Sequence, residues 1–165
     1  MVSCKYSSPI GTIIIMEDNG ALVKISYQRS VDFDKKETVS VAGHGIENKT
    51  LMSPVLRETI KQLEEYFHGT RREFQLPLKF NGTEFQQKVW KALLTIPYGE
   101  TRSYSQIAEQ IGQPKAARAV GMANNKNPLM IVVPCHRVIG KDKSMTGYAC
   151  GIDVKEALLR LEGSR

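Results

Sequence analysis

Late in the chain Cys135 stands directly before His136 and Arg137 and directly after Pro134. A thiol beside an imidazole can serve as a nucleophile whose proton the imidazole removes, provided a third group fixes the imidazole. Free Cys is also among the most buried residue types and is commonly inert, so adjacency alone leaves plain packing open. The basic setting, with His136, Arg137 and Arg118 close in sequence, favours thiolate over thiol and tips the reading towards chemistry. His136 is the one histidine in the C-terminal half, which makes it the natural base. Its orienting carboxylate must come from elsewhere. Asp153 and Glu156 form a capping-box pattern at the start of the last helical stretch. Glu156 therefore has two jobs open to it, satisfying the backbone of that helix or accepting from His136 and fixing its tautomer.

These groups must be held by regular elements. Residues 129–133 are a continuous apolar run of strand length that delivers Pro134 and Cys135, and Val138-Ile139 follow as a second apolar pair. Upstream, Thr83 with Gln86 opens a helix that lines Phe85, Val89, Trp90 and Leu93 on one face. Pro97-Tyr98-Gly99 breaks it. Ser103 with Gln106 opens a short second helix ending at Gly112, and Gln113-Pro114 leads at once into a third over 115–124. Two short helices joined so tightly read as a helix-turn-helix, although such pairs also occur as ordinary packing. Ala116, Ala117, Ala119, Gly121 and Ala123 leave the second of the pair without bulk, and Arg118 and Met122 are the largest groups projecting from its middle. A helix that slim can pack closely on a neighbour or enter a DNA groove.

The first half has a different texture. Residues 10–16 and 21–27 are β-rich runs around Asn19-Gly20, a pair that tolerates positive φ and signals a hairpin. The polar stretch 31–50 reads as loop, with room for a third strand near 38–41. Ser53 as N-cap and Pro54 at the first helical position open a helix carrying Leu56, Ile60, Leu63 and Phe67, stopped by His68-Gly69. The segment 75–82, with Pro77 and Asn81-Gly82, is the expected boundary. It divides the chain into a 1–80 sheet-plus-helix domain and an 81–165 domain holding the helix pair and the thiol.

Composition sets the outer bounds. At 165 residues and 41% apolar content the chain can bury a core without disulfides. Three scattered cysteines argue for a reducing, intracellular setting, and neither a membrane span nor a secretory pattern is visible, so a cytoplasmic protein is expected. The net charge is +6, with +1 in residues 1–80 and +5 in residues 81–165. A basic second half suits a polyanion partner, though a modest excess can also serve solubility alone. Cys4, His44 and His68 have no recognisable ligand spacing, and neither a metal nor a cofactor is expected.

Taken together, Ser103-Tyr104, the run from Pro114 to Gly121, Asn127-Pro128, Pro134 to Val138, Thr146-Gly147-Tyr148 and Lys155-Glu156 resemble the O6-alkylguanine-DNA alkyltransferases. The likeness is specific from about residue 85 to 163 and loose before that. It implies an α/β protein with a small N-terminal antiparallel sheet and helix of ribonuclease H-like kind, then a winged-helix/helix-turn-helix domain. It also implies direct-reversal repair acting once per molecule, the alkyl group passing irreversibly from guanine O6 in double-stranded DNA to Cys135. By the same resemblance, His136 deprotonates Cys135 through a water and Glu156 orients His136. Tyr104 acts on the leaving guanine, and Arg118 fills the gap left by the rotated-out base, with Lys115, Ala117 and Ser103 beside it on the DNA. Asn127 joins the helix pair to the nucleophile segment, and Val138, Tyr148 and Ala149 line the guanine pocket. The protein is expected to act as a monomer. Cys150 departs from the pattern, standing where the family has glycine, and a side chain there is expected either to narrow the pocket for large alkyl groups or to place a second thiol near Cys135. Three rivals remain: a lesion-binding relative without transfer, a winged-helix regulator with a structural Cys–His pair, and a Cys-dependent hydrolase that turns over.

Overall fold

The computed structural model describes residues 1–28, 39–41, 52–145 and 147–165, and chain contacts divide it into Met1–Lys79 and Phe80–Arg165. The expected loop over 31–50 lies outside the described residues except at 39–41, and so does Thr146.

The first unit is a four-stranded sheet with a helix on it. Strands β1 (Val2–Ser8), β2 (Gly11–Asp18), β3 (Ala21–Gln28) and β4 (Val39–Val41) lie in the order β3-β2-β1-β4. The β2–β3 hairpin turns at Asn19 and Gly20, whose φ values of 51° and 80° are the two left-handed positions that such a turn demands. β1 was not singled out in the sequence, because VSCKYSS offers only Cys4 and Tyr6 to the core. β1, β2 and β3 form the expected antiparallel sheet, and β4 extends its β1 edge in parallel, Cys4 opposite Val39. Helix α1 (Pro54–Phe67) starts where Ser53 Oγ accepts from the Leu56 amide at 3.2 Å. It buries Leu56, Ile60, Leu63 and Tyr66, while the expected Phe67 is half-buried with its ring 5.3 Å from that of Tyr66. The expected boundary segment is pinned to β3 as far as Lys79, through Leu22 N to Pro77 O at 2.8 Å and Lys79 N to Leu22 O at 2.9 Å.

The second unit is helical. Helix α2 (Glu84–Leu93) carries a complete capping box between Thr83 and Gln86, and helix α3 (Tyr104–Gln110) carries another between Ser103 and Gln106. Helix α4 (Ala117–Asn125) begins two residues later than the sequence suggests, because Pro114 and Lys115 are spent in a turn closed by Ala116 N on Gln113 O at 2.9 Å. Two-residue strands β5 (Arg102–Ser103) and β6 (Val138–Ile139) pair in parallel and are the sheet component of this unit among the described residues. Helix α5 (Ile152–Leu161) closes it. Trp90 of α2 is buried and donates Nε1–H to the Ala123 carbonyl of α4 at 2.9 Å. A methyl group on Gly82 would sit 2.5 Å from that indole. The ring is held by its hydrogen bond and cannot yield cheaply, so Gly82→Ala is expected to cost about 1–3 kcal/mol in urea unfolding.

Two expectations fail here. Residues 129–133 are buried, as their apolar character demands, but they form a turn and not a strand. Ile131 has φ 70°, and Val133 N reaches back to Leu129 O at 2.9 Å. A short apolar run states burial and leaves the backbone path undetermined. The capping box at Asp153 and Glu156 is absent too. α5 starts two residues earlier than that pattern requires, with Gly151 at its N-cap (φ 104°) and no side-chain cap.

Candidate active site

The segment with the candidate nucleophile is a 3-10 turn, Cys135–Arg137, held from two sides by amide side chains. Asn127 Nδ2 donates to Val133 O at 2.8 Å while its Oδ1 accepts from Leu129 N at 3.0 Å, which fixes the turn that precedes Pro134. Asn124, on α4, donates Nδ2–H to the carbonyl of Cys135 at 3.2 Å. Cys135 is 4% exposed and His136 is fully buried.

His136 does not meet Glu156. Its Nε2 lies 2.7 Å from Oε1 of Glu162, which caps the C-terminal end of α5, and both side chains are fully buried. Glu156 points outward and binds Arg160 at 2.9 Å, one turn along the same helix. The reason is helical periodicity. Lys155, Leu158, Leu159 and Glu162 recur at i, i+3, i+4 and i+7 and form the buried stripe, which Glu156 misses by one position. That stripe was the signal in the sequence that could have located Glu162.

Arg137 is committed to the same carboxylate. Its Nε and Nη2 each lie 2.9 Å from Glu162, its Nη1 donates to Ile96 O at 2.7 Å, and its guanidinium sits 5.8 Å from the Tyr98 ring centre. Burial pushes the Glu162 carboxyl up, but the bonds from His136 and Arg137 outweigh it and hold the group at about 2. Burial also holds the His136 imidazole below its ordinary value against the pull of Glu162, so the ring is neutral at neutral pH. A neutral ring that gives its Nε2–H to Glu162 keeps a lone pair on Nδ1. That Nδ1 is buried with no hydrogen-bond partner among the described residues.

The charge expected from Arg137 beside the thiol is thus neutralised by Glu162, and a different cation takes its place. Lys155 is fully buried, donates Nζ–H to Val138 O at 2.6 Å, and lies 5.9 Å from the Tyr148 ring centre. The sequence offered Lys155 only as part of the family pattern. Burial raises the Cys135 thiol, while hydrogen bonds with Asn127 and Tyr148 and the charge of Lys155 pull it down, and burial prevails. The resting group is a thiol rather than the standing thiolate that the basic neighbours suggested.

The DNA-facing candidates lie apart from this buried cluster. Tyr104 opens α3, and Ser103 is spent as its N-cap. Tyr104, Ala117, Arg118 and Gly121 line a cleft of about 450 Å³ together with Ser105, Asn125, Lys141 and Gly147. A methyl group on Gly121 would touch the Tyr104 ring at 3.7 Å, so the slim helix brings that ring close to its own axis. Arg118, Lys115 and Ala149 are exposed, whereas Val138 and Tyr148 are buried. Cys150 is half-buried, with its thiol 3.7 Å from the Met130 sulfur. No helix among the described residues is long and apolar enough to cross a membrane.

Comparison with known proteins places both halves of the chain in one family. Residues 1–80 match the ribonuclease-like domain of 6-O-methylguanine DNA methyltransferase, and residues 84–164 match the DNA binding domain of the same family. A methylated-DNA–protein-cysteine methyltransferase of Methanosarcina acetivorans is 48% identical over 96% of both chains. One described as constitutive, from Bacillus subtilis, is 48% identical over 94% of this chain and 92% of that one. The crystal structure of Mycobacterium tuberculosis OGT in complex with DNA superposes with a TM-score of 0.83 at 43% identity, covering 99% of this chain and 94% of the other. With both halves matched in order and relatives nearly half identical along almost the whole length, the chain belongs to the 6-O-methylguanine DNA methyltransferase family.

Proposed function

We propose that the protein repairs DNA by moving a methyl or other alkyl group from guanine O6 to its own Cys135, once per molecule. The observation that carries this reading is a buried Cys135 followed in sequence by a buried His136 that Glu162 fixes at 2.7 Å, on a turn that Asn124 of α4 bonds at 3.2 Å. The names of its relatives and the DNA-bound M. tuberculosis structure support it.

The chemistry follows from the atoms in place. His136 Nδ1 takes the Cys135 proton, directly or through a water, and Glu162 stabilises the imidazolium that results. The sulfur attacks the alkyl carbon, an S–C bond forms, and the C–O6 bond breaks with its electron pair leaving on the purine. A proton from Tyr104 neutralises the departing base. Tyr148, Val138 and Ala149 form the pocket that receives the purine. The product is a neutral thioether, which explains why no second round follows. Because the alkyl carbon is shielded within the stack, the nucleotide rotates out at a cost of a few kcal/mol. Arg118, on a helix slim enough for the minor groove, occupies the gap, and phosphate contacts from the basic second unit supply sequence-independent affinity. An acceptor thiol of this kind belongs in a reducing, intracellular compartment.

Titration with a duplex carrying a single O6-methylguanine tests the reading. One equivalent of methyl is expected, on the Cys135 peptide by mass spectrometry. Continued turnover would point to a hydrolase, and unmodified Cys135 with the lesion intact would reduce the protein to a lesion binder. A second measurement addresses Cys150. Cys150→Gly is expected to raise the rate for O6-benzylguanine relative to O6-methylguanine by roughly 3–10-fold, as one buried side chain's worth of space allows. An unchanged ratio removes Cys150 from the pocket.

A further inference from the structure

Helix α4 has two working faces. Arg118 and Met122, four residues apart, project outward, and Met122 is 64% exposed. Val120, Ala123 and Asn124 face the core. Asn124 is 2% exposed, and its Nδ2 binds the carbonyl of Cys135 at 3.2 Å. Its Oδ1 is buried with no hydrogen-bond partner among the described residues. A buried acceptor left unmatched is costly, and an apolar side chain of similar size would avoid that cost. What the amide does accomplish is the tether to the nucleophile's own backbone. The turn's own backbone bonds are Cys135 N on Val133 O at 2.8 Å, Arg137 N on Pro134 O at 3.0 Å and the Val138 amide on the Cys135 carbonyl, while Asn127 and Glu162 anchor its two ends; Asn124 alone among these anchors stands within α4.

We infer that Asn124 is a positioning residue for the alkyl transfer proposed above, tying the Cys135 carbonyl to the helix whose outer face meets DNA. Duplex engaged by Arg118 and Met122 and the thiol beneath them then share one frame, through a single side chain that spans the helix. The inference rests on the proposed function, since a frame shared with DNA matters only if DNA delivers the substrate. Misplacement by about 1 Å can cost about 100-fold in such a reaction, so a slack tether is felt in the rate. A free nucleobase has no hold on α4 and gains nothing from the shared frame.

The test compares two substrates with one variant. Single-turnover methyl transfer is followed from an O6-methylguanine duplex and from free O6-methylguanine base, for the parent and for Asn124→Leu. The variant is expected to lose roughly tenfold or more on the duplex and less than about threefold on the free base, with duplex affinity unchanged within about twofold. Equal losses on both substrates would mean that Asn124 only supports the fold, and a loss confined to affinity would place it in DNA binding. Either result overturns the inference. Asn124→Ser, which is shorter and tolerates burial, is read in the same way should Asn124→Leu not fold. A parent protein left unmethylated at Cys135 overturns the proposed function itself, whereas a methylated parent with an unaltered duplex-to-base ratio in the variants overturns the tether alone.

Discussion

Replacing Glu162 by Ala is expected to unfold the second unit at markedly lower denaturant and to slow methyl transfer by about 100-fold or more, while Glu156→Ala changes either by less than about twofold. Glu162 is the one carboxylate that His136 and Arg137 share, with contacts of 2.7–2.9 Å. Its removal strands a guanidinium in the core, a change that costs about 3–5 kcal/mol when a buried pair is broken from one side. It also frees the imidazole to turn, and transfer needs Nδ1 aimed at the sulfur. Glu162→Gln separates the two losses. Its amide oxygen can still accept from one of the two neighbours, so part of the stability returns, but the imidazolium loses its counter-charge and the rate stays low. The pairing has a pH signature as well. A carboxyl held at about 2 against an ordinary 4.5 contributes stability that is fully present above pH 4.5 and is lost as pH falls towards 2. Acid titration of the unfolding midpoint should show that loss in the parent and lack it in Glu162→Ala. If Glu156→Ala proves the slower variant, the geometry around His136 has been misread.

Lys155→Met should separate rate from stability. The buried ammonium assists ionisation of Cys135, which burial otherwise opposes. Without it transfer at pH 7 is expected to fall roughly 10–100-fold, the order of one to two pK units of lost charge stabilisation on the sulfur. The fold should barely notice. Burial holds Lys155 at about 8 rather than 10.5, so its charge costs stability below pH 8, and that cost is relieved as pH rises from 8 to 10.5. Met removes the cost and also removes the bond to Val138 O, and the two changes offset to within about 1–2 kcal/mol. Above pH 8 the parent sheds the same charge, so parent and variant rates converge. A variant that keeps its parent's rate at pH 7, or stays equally far below it at pH 9.5, would exclude the ammonium as the source of the effect.

Local signals written in adjacent residues are legible in the sequence itself. The Asn19-Gly20 turn, the two capping boxes at Thr83 and Ser103, and the Ser53-Pro54 start are each decided within four residues by backbone chemistry. What depended on distant partners was not readable. Leu129–Val133 announced burial, yet the path was settled by Asn127, which supplies the donor and acceptor that a strand partner would have given. The capping-box spacing and the Lys155-Glu156 pair of the family pattern point to Glu156, whereas the choice belongs to the helical stripe that turns Lys155 and Glu162 inward together. Arg137 looked like help for the thiol and is consumed by Glu162, since a guanidinium pairs with whichever carboxylate shares its burial. Cys135 and His136 as candidate nucleophile and base are legible from their adjacency. Their protonation states emerge only once burial is known.

The indole clamped between α2 and α4 gives the molecule an optical probe of its own. The chain has a single tryptophan, so its indole emission, excited at wavelengths that tyrosine does not absorb, comes from one place, and that place is a ring bonded to Ala123, next to Asn124. Any displacement of α4, whether from DNA pressing on its outer face or from a new thioether crowding its inner one, stretches that bond and shifts the emission wavelength. Lesion engagement and self-alkylation can therefore be followed in real time on unlabelled protein, with Trp90→Phe as the dark control.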